Sequence, residues 1–332
     1  MKRALVVVTC AALALVNFSL AAAAQAPRQF RRALPGYVFK FPDDHRSHNE
    51  FKTEWWYYTG HLKASNGEKF GFELTFFRSG IETATQVPAS RWRVDNVYLA
   101  HFAVSDLSRK KFFFRSLTNR PGPVSGGADQ KGYRVWNGGW SACLDGKTHI
   151  LKAKTPEYAI DLKLDCLKPP VVHGKDGVSQ KASPKGCASH YYSMTRLQAK
   201  GTLARGGAPL AVTGSAWPDR EFGSNHLTEE QVGWHWFAIQ LDDNSEIMLY
   251  LMRLNSGEFD RNSSGTITFA DNRTEDLSVD DFKIDICKRW KSAATGADYP
   301  GAWRISIPKH KLKLTMAPLL ENQELVAEQG GG

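Results

Sequence analysis

The sequence predicts an all-β protein made of two barrels packed together. Three observations predict it. Short segments with an apolar residue at every second position recur along the chain, the period of a half-buried strand. Clusters of Asn, Asp, Gly, Ser and Pro separate these segments at regular intervals. Helical periodicity is scarce: "LTEEQVG" (227–233), where Thr228 precedes Glu229 and Glu230, is the clearest candidate for a short helix. At 332 residues the chain suits two barrels better than one.

The elements follow in order. Lys2 and Arg3 precede an apolar run from Ala4 to Leu15, and Ala24-Gln25-Ala26 gives an A-x-A cleavage pattern. Residues 1–26 read as a secretory signal, so the mature chain is expected to be periplasmic or secreted. The run is too short to span a bilayer, and no later stretch is long and apolar enough. No stable membrane insertion is expected. "EWWYYTGHL" and "KFGFELTFFR" flank Asn66-Gly67, a strong hairpin signal. "NVYLAHFAVSDL" and "KKFFFRSL" pair through Ser108 and Arg109, and a Gly/Pro-rich loop covers about 121–132. "HILKAKT" and "YAIDLKLDC" continue the alternation, and 168–189 reads as a long loop. "YYSMTRLQAKGTL" and "LAVTGSAW" flank a "RGGAP" turn, while "WHWFAIQL" and "EIMLYLMRL" flank Asp243-Asn244-Ser245. "GTITFA", "FKIDICKRW", "WRISIP" and "KLKLTMAP" complete the set. The first barrel is assigned to 27–205 and the second to 206–332.

Composition narrows the function. Hydrophobic residues at 42% are ample for a core, and the ten tryptophans bunch. There are 43 basic and 34 acidic residues, spread out except for Arg109–Lys111 and Lys309–Lys313. Those clusters read as solvated faces, and a nucleic-acid partner is not expected. Past the signal stand Cys143, Cys166, Cys187 and Cys287. Export permits disulfides, and Cys166–Cys187 would close the 168–189 loop. Without C-x-x-C, a zinc cluster is not expected. The sequence contains no G-x-S-x-G, H-E-x-x-H, P-loop or Rossmann fingerprint.

Chemistry concentrates where carboxylates meet rings. In "TEWWYYTGHL" (53–62), Glu54, Trp56 and Tyr58 share one face of the strand and Trp55 and Tyr57 the other. With both faces aromatic, the strand must lie between two apolar compartments. A carboxylic acid in an apolar pocket keeps its proton near neutral pH, and ring faces stabilise a cation. Glu54 is therefore either a proton donor or a buried ion-pair partner of Arg78, Arg196 or Arg220. In "SAWPDREFG", Asp219 and Glu221 share a face opposite Arg220 and Phe222, beside Trp217. They form a candidate acid/base pair or a salt-bridge cluster, and Pro218 marks an edge or bulge. In "GWHWFAIQLDD", Trp234, Trp236 and Gln240 share a face opposite His235, a proton shuttle or a packed residue. Tyr250 lies on the partner strand. His101, Tyr192 and Arg196 are further candidates for lining a ligand site. His45 and His48 form an H-x-x-H after Asp43 and Asp44, a weak metal signal without a third ligand nearby, and no metal is expected.

Several of these segments together carry a resemblance. "DDHRSHNEFKTEWWYYTGHL", "FGFELTFFR", "VYLAHFAVSD", "YYSMTRLQAKG", "GSAWPDREFGSNHL" and "GWHWFAIQLDDNSEIMLYLMR" keep this order from about 40 to 255. The set resembles the AttH-like, carotenoid 1,2-hydratase family. The resemblance implies two lipocalin-like barrels in tandem with a hydrophobic pocket near their junction. It also implies a bulky apolar, isoprenoid-like substrate whose double bond is hydrated or isomerised by carboxylic-acid proton transfer, without a cofactor. A non-catalytic carrier of a lipid or terpenoid is the alternative. Arg220, Phe222 and Met252 depart from the family pattern, in which His, Trp and Asp are looked for. The family usually continues into further strands, so the second barrel reads as truncated, or its open edge pairs with another chain in a dimer or is covered by the tail.

Overall fold

A computed structural model describes residues 29–82, 93–207, 209–225 and 227–326. The expected signal, 1–26, lies outside the described residues. The chain is almost entirely strand. Strands β1 (Thr53–Ala64), β2 (Lys69–Gly80), β3 (Asn96–Asp106) and β4 (Lys111–Asn119) form a meander. Three short strands follow: β5 (Gly126–Ala128), β6 (Arg134–Asn137) and β7 (Trp140–Asp145). Then come β8 (Thr148–Lys154), β9 (Tyr158–Cys166), β10 (Val171–Val172) and β11 (Ser179–Gln180). The large sheet ends with β12 (Ala188–Ser193), β13 (Leu197–Arg205) and β14 (Pro209–Gly223). A four-stranded sheet holds β15 (Gln231–Gln240), β16 (Glu246–Leu254), β17 (Ser264–Thr268) and β18 (Thr274–Ser278). A three-stranded sheet holds β19 (Lys283–Lys291), β20 (Asp298–Ile307) and β21 (Leu312–Met316).

The large sheet runs β4-β3-β2-β1-β14-β13-β9-β8-β7-β6-β5. It curls until its ends meet across buried Asn137, whose Nδ2 donates to the Tyr98 carbonyl at 3.0 Å. Asn119 Nδ2 donates to Asn137 Oδ1 at 2.6 Å. The interior is filled by Trp56, Tyr58, Phe70, Phe72, Phe102, Leu151 and Leu162 among others. This nearly closed, lipocalin-like barrel follows from alternation: inward positions of β1–β3 are large and apolar. The two smaller sheets wrap a second core of Phe237, Ile247, Leu249, Ile267, Ile305 and Ile307.

Hairpins predicted from turn residues form as expected, with Gly67 at φ +89° closing β1–β2 and Asn244 at +61° closing β15–β16. Other details differ. "LTEEQVG" is a single turn closed by Gln231 and Thr228, after which Gln231 enters β15; nothing extends it into a helix. The Gly/Pro-rich region hides β5, where a Cβ on Gly127 would stand 2.2 Å from the Trp136 indole. The 205/206 boundary falls in the β13–β14 hairpin, both arms of which belong to the large sheet. The change of sheet comes after Gly223. All four described cysteines are free. The expected Cys166–Cys187 bridge is absent, with the Cys166 sulfur against Met194 Sδ at 3.8 Å. The C-terminal segment lies on the β19–β20 hairpin: Glu324 accepts from Thr295 at 2.6 Å and Tyr299 at 2.8 Å. It also reaches β3, where Ser105 Oγ donates to Gln323 at 2.9 Å.

Candidate functional site between the large sheet and the tryptophan hairpin

Strands β1 and β14 pair in antiparallel register, with Trp55 opposite Glu221, Trp56 opposite Arg220 and Tyr57 opposite Asp219. Cross-strand partners share a face. One face therefore carries Trp55, Tyr57, Asp219 and Glu221; the other carries Glu54, Trp56, Tyr58, Arg220 and Phe222. The second face fills the barrel. The first looks toward β15 and β16, which present Trp234, Trp236, Tyr250 and Met252 to it while burying Phe237, Leu249 and Leu251 in the second core.

Between these faces lies a cavity of about 530 Å³. Its rings are set edge to face: Tyr57 on Trp236 at 5.3 Å and Trp55 on Trp234 at 6.0 Å. Trp234, at the mouth, is 43% exposed. The register explains the floor. Ser193 pairs with Asp219 and Leu197 with Ala216, so β12–β13 carries one more residue than β14 across this gap. The bulge lies opposite Pro218, which has no N–H to continue the ladder.

Asp219 sits on this floor, 8% exposed. Burial pushes its carboxyl up to about 7, and the neighbouring Glu221 adds to the rise. Hydrogen bonds oppose it: Ser193 Oγ donates to Oδ1, Trp217 Nε1 to Oδ1 at 2.8 Å, and Tyr191 OH to Oδ2 at 2.9 Å. Trp236 Nε1 donates to the Tyr191 oxygen at 3.1 Å, fixing the phenol. Glu221 is engaged by Lys181 Nζ at 3.1 Å and Ser189 Oγ at 2.5 Å. The Lys181 ammonium lies 4.2 Å from the Tyr250 ring centroid and 5.0 Å from that of Tyr191. Burial works against that charge, but Glu221, Tyr250 and Asp219 together outweigh it and the ammonium is held above its usual range.

Of the candidates read from sequence, Trp55, Trp234, Trp236, Tyr250, Asp219 and Glu221 line this cavity, and Trp217 braces Asp219 from below. The others are elsewhere. Glu54 is wholly buried inside the barrel face, where Arg220 reaches Oε1 at 2.7 Å and Arg78 reaches Oε2 at 3.1 Å. His48 Nδ1 is 3.1 Å from Oε1, and its Nε2 is 3.1 Å from Asp44. Burial would raise the Glu54 carboxyl, but Arg220, His48 and Arg78 together hold it far below the usual carboxylate range. Glu54 is a fixed anion and not a proton donor. Arg220 lies 4.2 Å over the Trp56 ring, and Tyr58 hydrogen-bonds Tyr133 and His149 inside the barrel. Tyr192 OH is 2.6 Å from His45 Nδ1 in the same interior. Arg196 pairs with Glu246 at 2.5 Å, not with Glu54. Gln240 Nε2 donates to the Thr195 carbonyl at 2.8 Å, tying the two sheets. His235 points away from the cavity, toward Phe259. His101 stands on the outer face of β3 between Phe77 and Phe114, since Ala100 and Phe102 take the inward positions.

Lys181 and Tyr191 belong to the site but were not read as candidates. Lys181 comes from the 168–189 loop, which has no periodicity to place it. Tyr191 alternates with Ser193 on the strand face that meets Asp219, a signal the sequence did contain. A second hollow of about 420 Å³ lies under the C-terminal segment, against Trp290, Tyr299 and Trp303. Its Glu324 is held low by hydrogen bonds from Ser292 and Thr295, so it offers no neutral acid. Among the described residues no group of three or more His, Cys, Asp or Glu could hold a metal ion. No described helix is long and apolar enough to cross a membrane.

Comparison with known proteins places the fold. The AttH-like family model matches residues 32–330, and the chain belongs to that family. A crystal structure assigned to AttH, from Nitrosomonas europaea, superposes with a TM-score of 0.76 at 29% identity, covering 84% of each chain. Kievitone hydratase from Nectria haematococca superposes at 0.66 and 14% identity, covering 90% of this chain and 86% of that one. At that identity the likeness is one of fold. No curated protein gives a sequence match.

Proposed function

We propose that this AttH-like chain is an exported acid catalyst acting on a bulky, apolar, isoprenoid-like molecule, with Asp219 as the proton donor. The reaction is addition of water to an isolated double bond, or its isomerisation. One observation carries the reading: a carboxyl raised to about 7 faces an aromatic cavity of about 530 Å³. That volume lies within the range of about 300–1,000 Å³ that suits small-molecule ligands. An acid with this affinity is half protonated near neutral pH, where proton transfer is most effective. The hydratase among proteins of this fold agrees in kind.

The steps balance. The Asp219 O–H bond breaks as a C–H bond forms at one alkene carbon, using the π electrons. The cation left on the neighbouring carbon faces Tyr57, Trp55 and Trp236, whose ring faces favour positive charge. Water attacks that carbon, and its proton returns to the Asp219 carboxylate. In the isomerisation a neighbouring C–H proton returns instead. Tyr191, held by Trp236, keeps the carboxyl oriented throughout.

The test is Asp219→Asn with a trisubstituted terpenoid alkene, following the gain of one water by mass spectrometry. Turnover is expected to fall by at least about 100-fold, the usual scale of acid catalysis, with affinity from tryptophan quenching nearly unchanged. Full turnover in the variant would remove Asp219 from the chemistry. A second reading, a carrier, is favoured by the pairing of Glu221 with Lys181, which ties up the other carboxylate of the cavity. It predicts saturable quenching with no product after long incubation.

A further inference from the structure

Asp219 has a side turned away from the cavity. Ser193 Oγ, which donates to Asp219 Oδ1, lies 2.7 Å from His173 Nε2. His173 Nδ1 lies 2.9 Å from Thr266 Oγ1 on β17. Thr266 stands opposite Asp276 on β18, and its hydroxyl opposes the rise that burial gives the Asp276 carboxyl. Ser193, His173 and Thr266 are buried, at 0%, 1% and 1% exposure, whereas Asp276 is exposed. The row thus runs from the cavity floor, between two sheets, to the surface.

The composition of the row is what matters. A hydroxyl both donates and accepts, and a neutral imidazole does one at each nitrogen. Such a row can reverse all its hydrogen bonds together. An ammonium, a guanidinium or a backbone N–H would block it, and none stands in it. Burial, with Lys181 adding repulsion against the pull of Glu221, pushes the His173 imidazole down to about 3, so it is neutral. Packing alone makes no such demand: buried His190 is satisfied by one backbone carbonyl, Gly177, at 2.6 Å.

We propose that Ser193, His173 and Thr266 form a proton relay joining the buried side of Asp219 to solvent at Asp276. The proposal rests on the acid-catalysis reading and gives it a supply route. Hydration and isomerisation each return a proton to Asp219, so the relay does not feed every turnover: it restores the proton whenever the carboxyl has lost it, from the side a guest does not cover. In one such recharging, ionised Asp219 takes the Ser193 hydroxyl proton, and Ser193 takes the Nε2 proton of His173. His173 Nδ1 takes the Thr266 hydroxyl proton, and Thr266 takes one from Asp276 or from water bound there. One proton moves from the surface to Asp219, no electrons are transferred to another centre, and His173 changes tautomer from Nε2–H to Nδ1–H.

That tautomer change is the readout, and it needs no substrate. Nitrogen-15 NMR of histidine side chains in the mature chain follows His173 through a pH titration. The groups facing Asp219 are Tyr57, Tyr191, Tyr250, Glu221 and Lys181, with Glu73 behind Tyr57; those facing His173 are Lys181, Glu221 and Tyr191. The expected result is exchange of the Nδ1 and Nε2 shifts as the pH falls through about 7, the Asp219 value, with no imidazolium signature. The exchange should vanish in Ser193→Ala and in Asp219→Asn, and persist in Glu221→Gln. A His173 fixed in one tautomer, or an exchange unchanged in Ser193→Ala or lost only in Glu221→Gln, overturns the relay. Should Ser193→Ala not fold, Asp219→Asn alone decides. The relay can stand where no alkene is turned over, which sinks only the acid-catalysis reading. Turnover lost in Asp219→Asn with a static His173 sinks only the relay.

Discussion

Glu54 and Asp219 sit on neighbouring strands, both almost wholly out of water, and they hold protons with opposite strength. Glu54 faces the barrel interior with Arg220 and Arg78 beside it and is a permanent anion. Asp219 faces the cavity with hydroxyls, an indole and another carboxylate as neighbours, and keeps its proton to about 7. Burial acts on both in the same direction. The difference shows that the number of cations within reach, and not depth, decides whether a buried acid stays an anion or keeps its proton. A pleat that turns successive residues to opposite faces allows both within a few residues.

The largest effect is expected at Arg220. Arg220→Leu leaves Glu54 with less compensation and should destabilise the fold by about 3–5 kcal/mol, read by urea unfolding. A loss below about 1 kcal/mol would mean that Glu54 is not held as a charge.

Next comes pH. Glu54 is depressed in the folded state, so its stabilisation is present above the unfolded value and is lost as pH falls through the folded one. His45, His149 and His173 are held neutral by burial, with values pushed to about 4, 3 and 3. Unfolding lets them protonate near 6.5, so stability should fall with acid from there downward, by up to about 1.4 kcal/mol per pH unit for each histidine. Asp219 has the opposite sign. Its raised value contributes stability below about 3.8, and this is lost as pH rises through about 7. Subtracting Asp219→Asn from the wild type in thermal melts at pH 4 and pH 8 isolates that term. A difference that does not change between the two would show that Asp219 ionises normally.

The smallest effect sharpens the comparison. Tyr191→Phe removes one donor to Asp219, worth about 1–2 kcal/mol to the anion, and should raise its titration by about one unit. An unchanged titration would place the phenol proton elsewhere.

Much of this was legible in the sequence because strands have period two. The facial separation of Trp55 and Tyr57 from Glu54, and of Asp219 from Arg220, follows from counting. Arg78 and Arg220 were two of the three partners considered for Glu54. Which face turns inward was not legible, because both sides of β1 are aromatic and a barrel interior and a cavity wall ask for the same residues. His173 and Lys181 lie in a stretch without periodicity, where only folding brings them to Asp219. The short strand β5 was hidden by glycines that look like loop but make room for the Trp136 ring.

Lys181 has a consequence for how a guest is received. Its ammonium rests against Tyr191 and Tyr250, while Trp55 meets the half-exposed Trp234. That ammonium is paired with Glu221 at 3.1 Å, so the wall carries a buried dipole and not a net charge. Under the proposed reading, a guest carrying one polar group would turn that group toward the pair and lay its hydrocarbon along the rings.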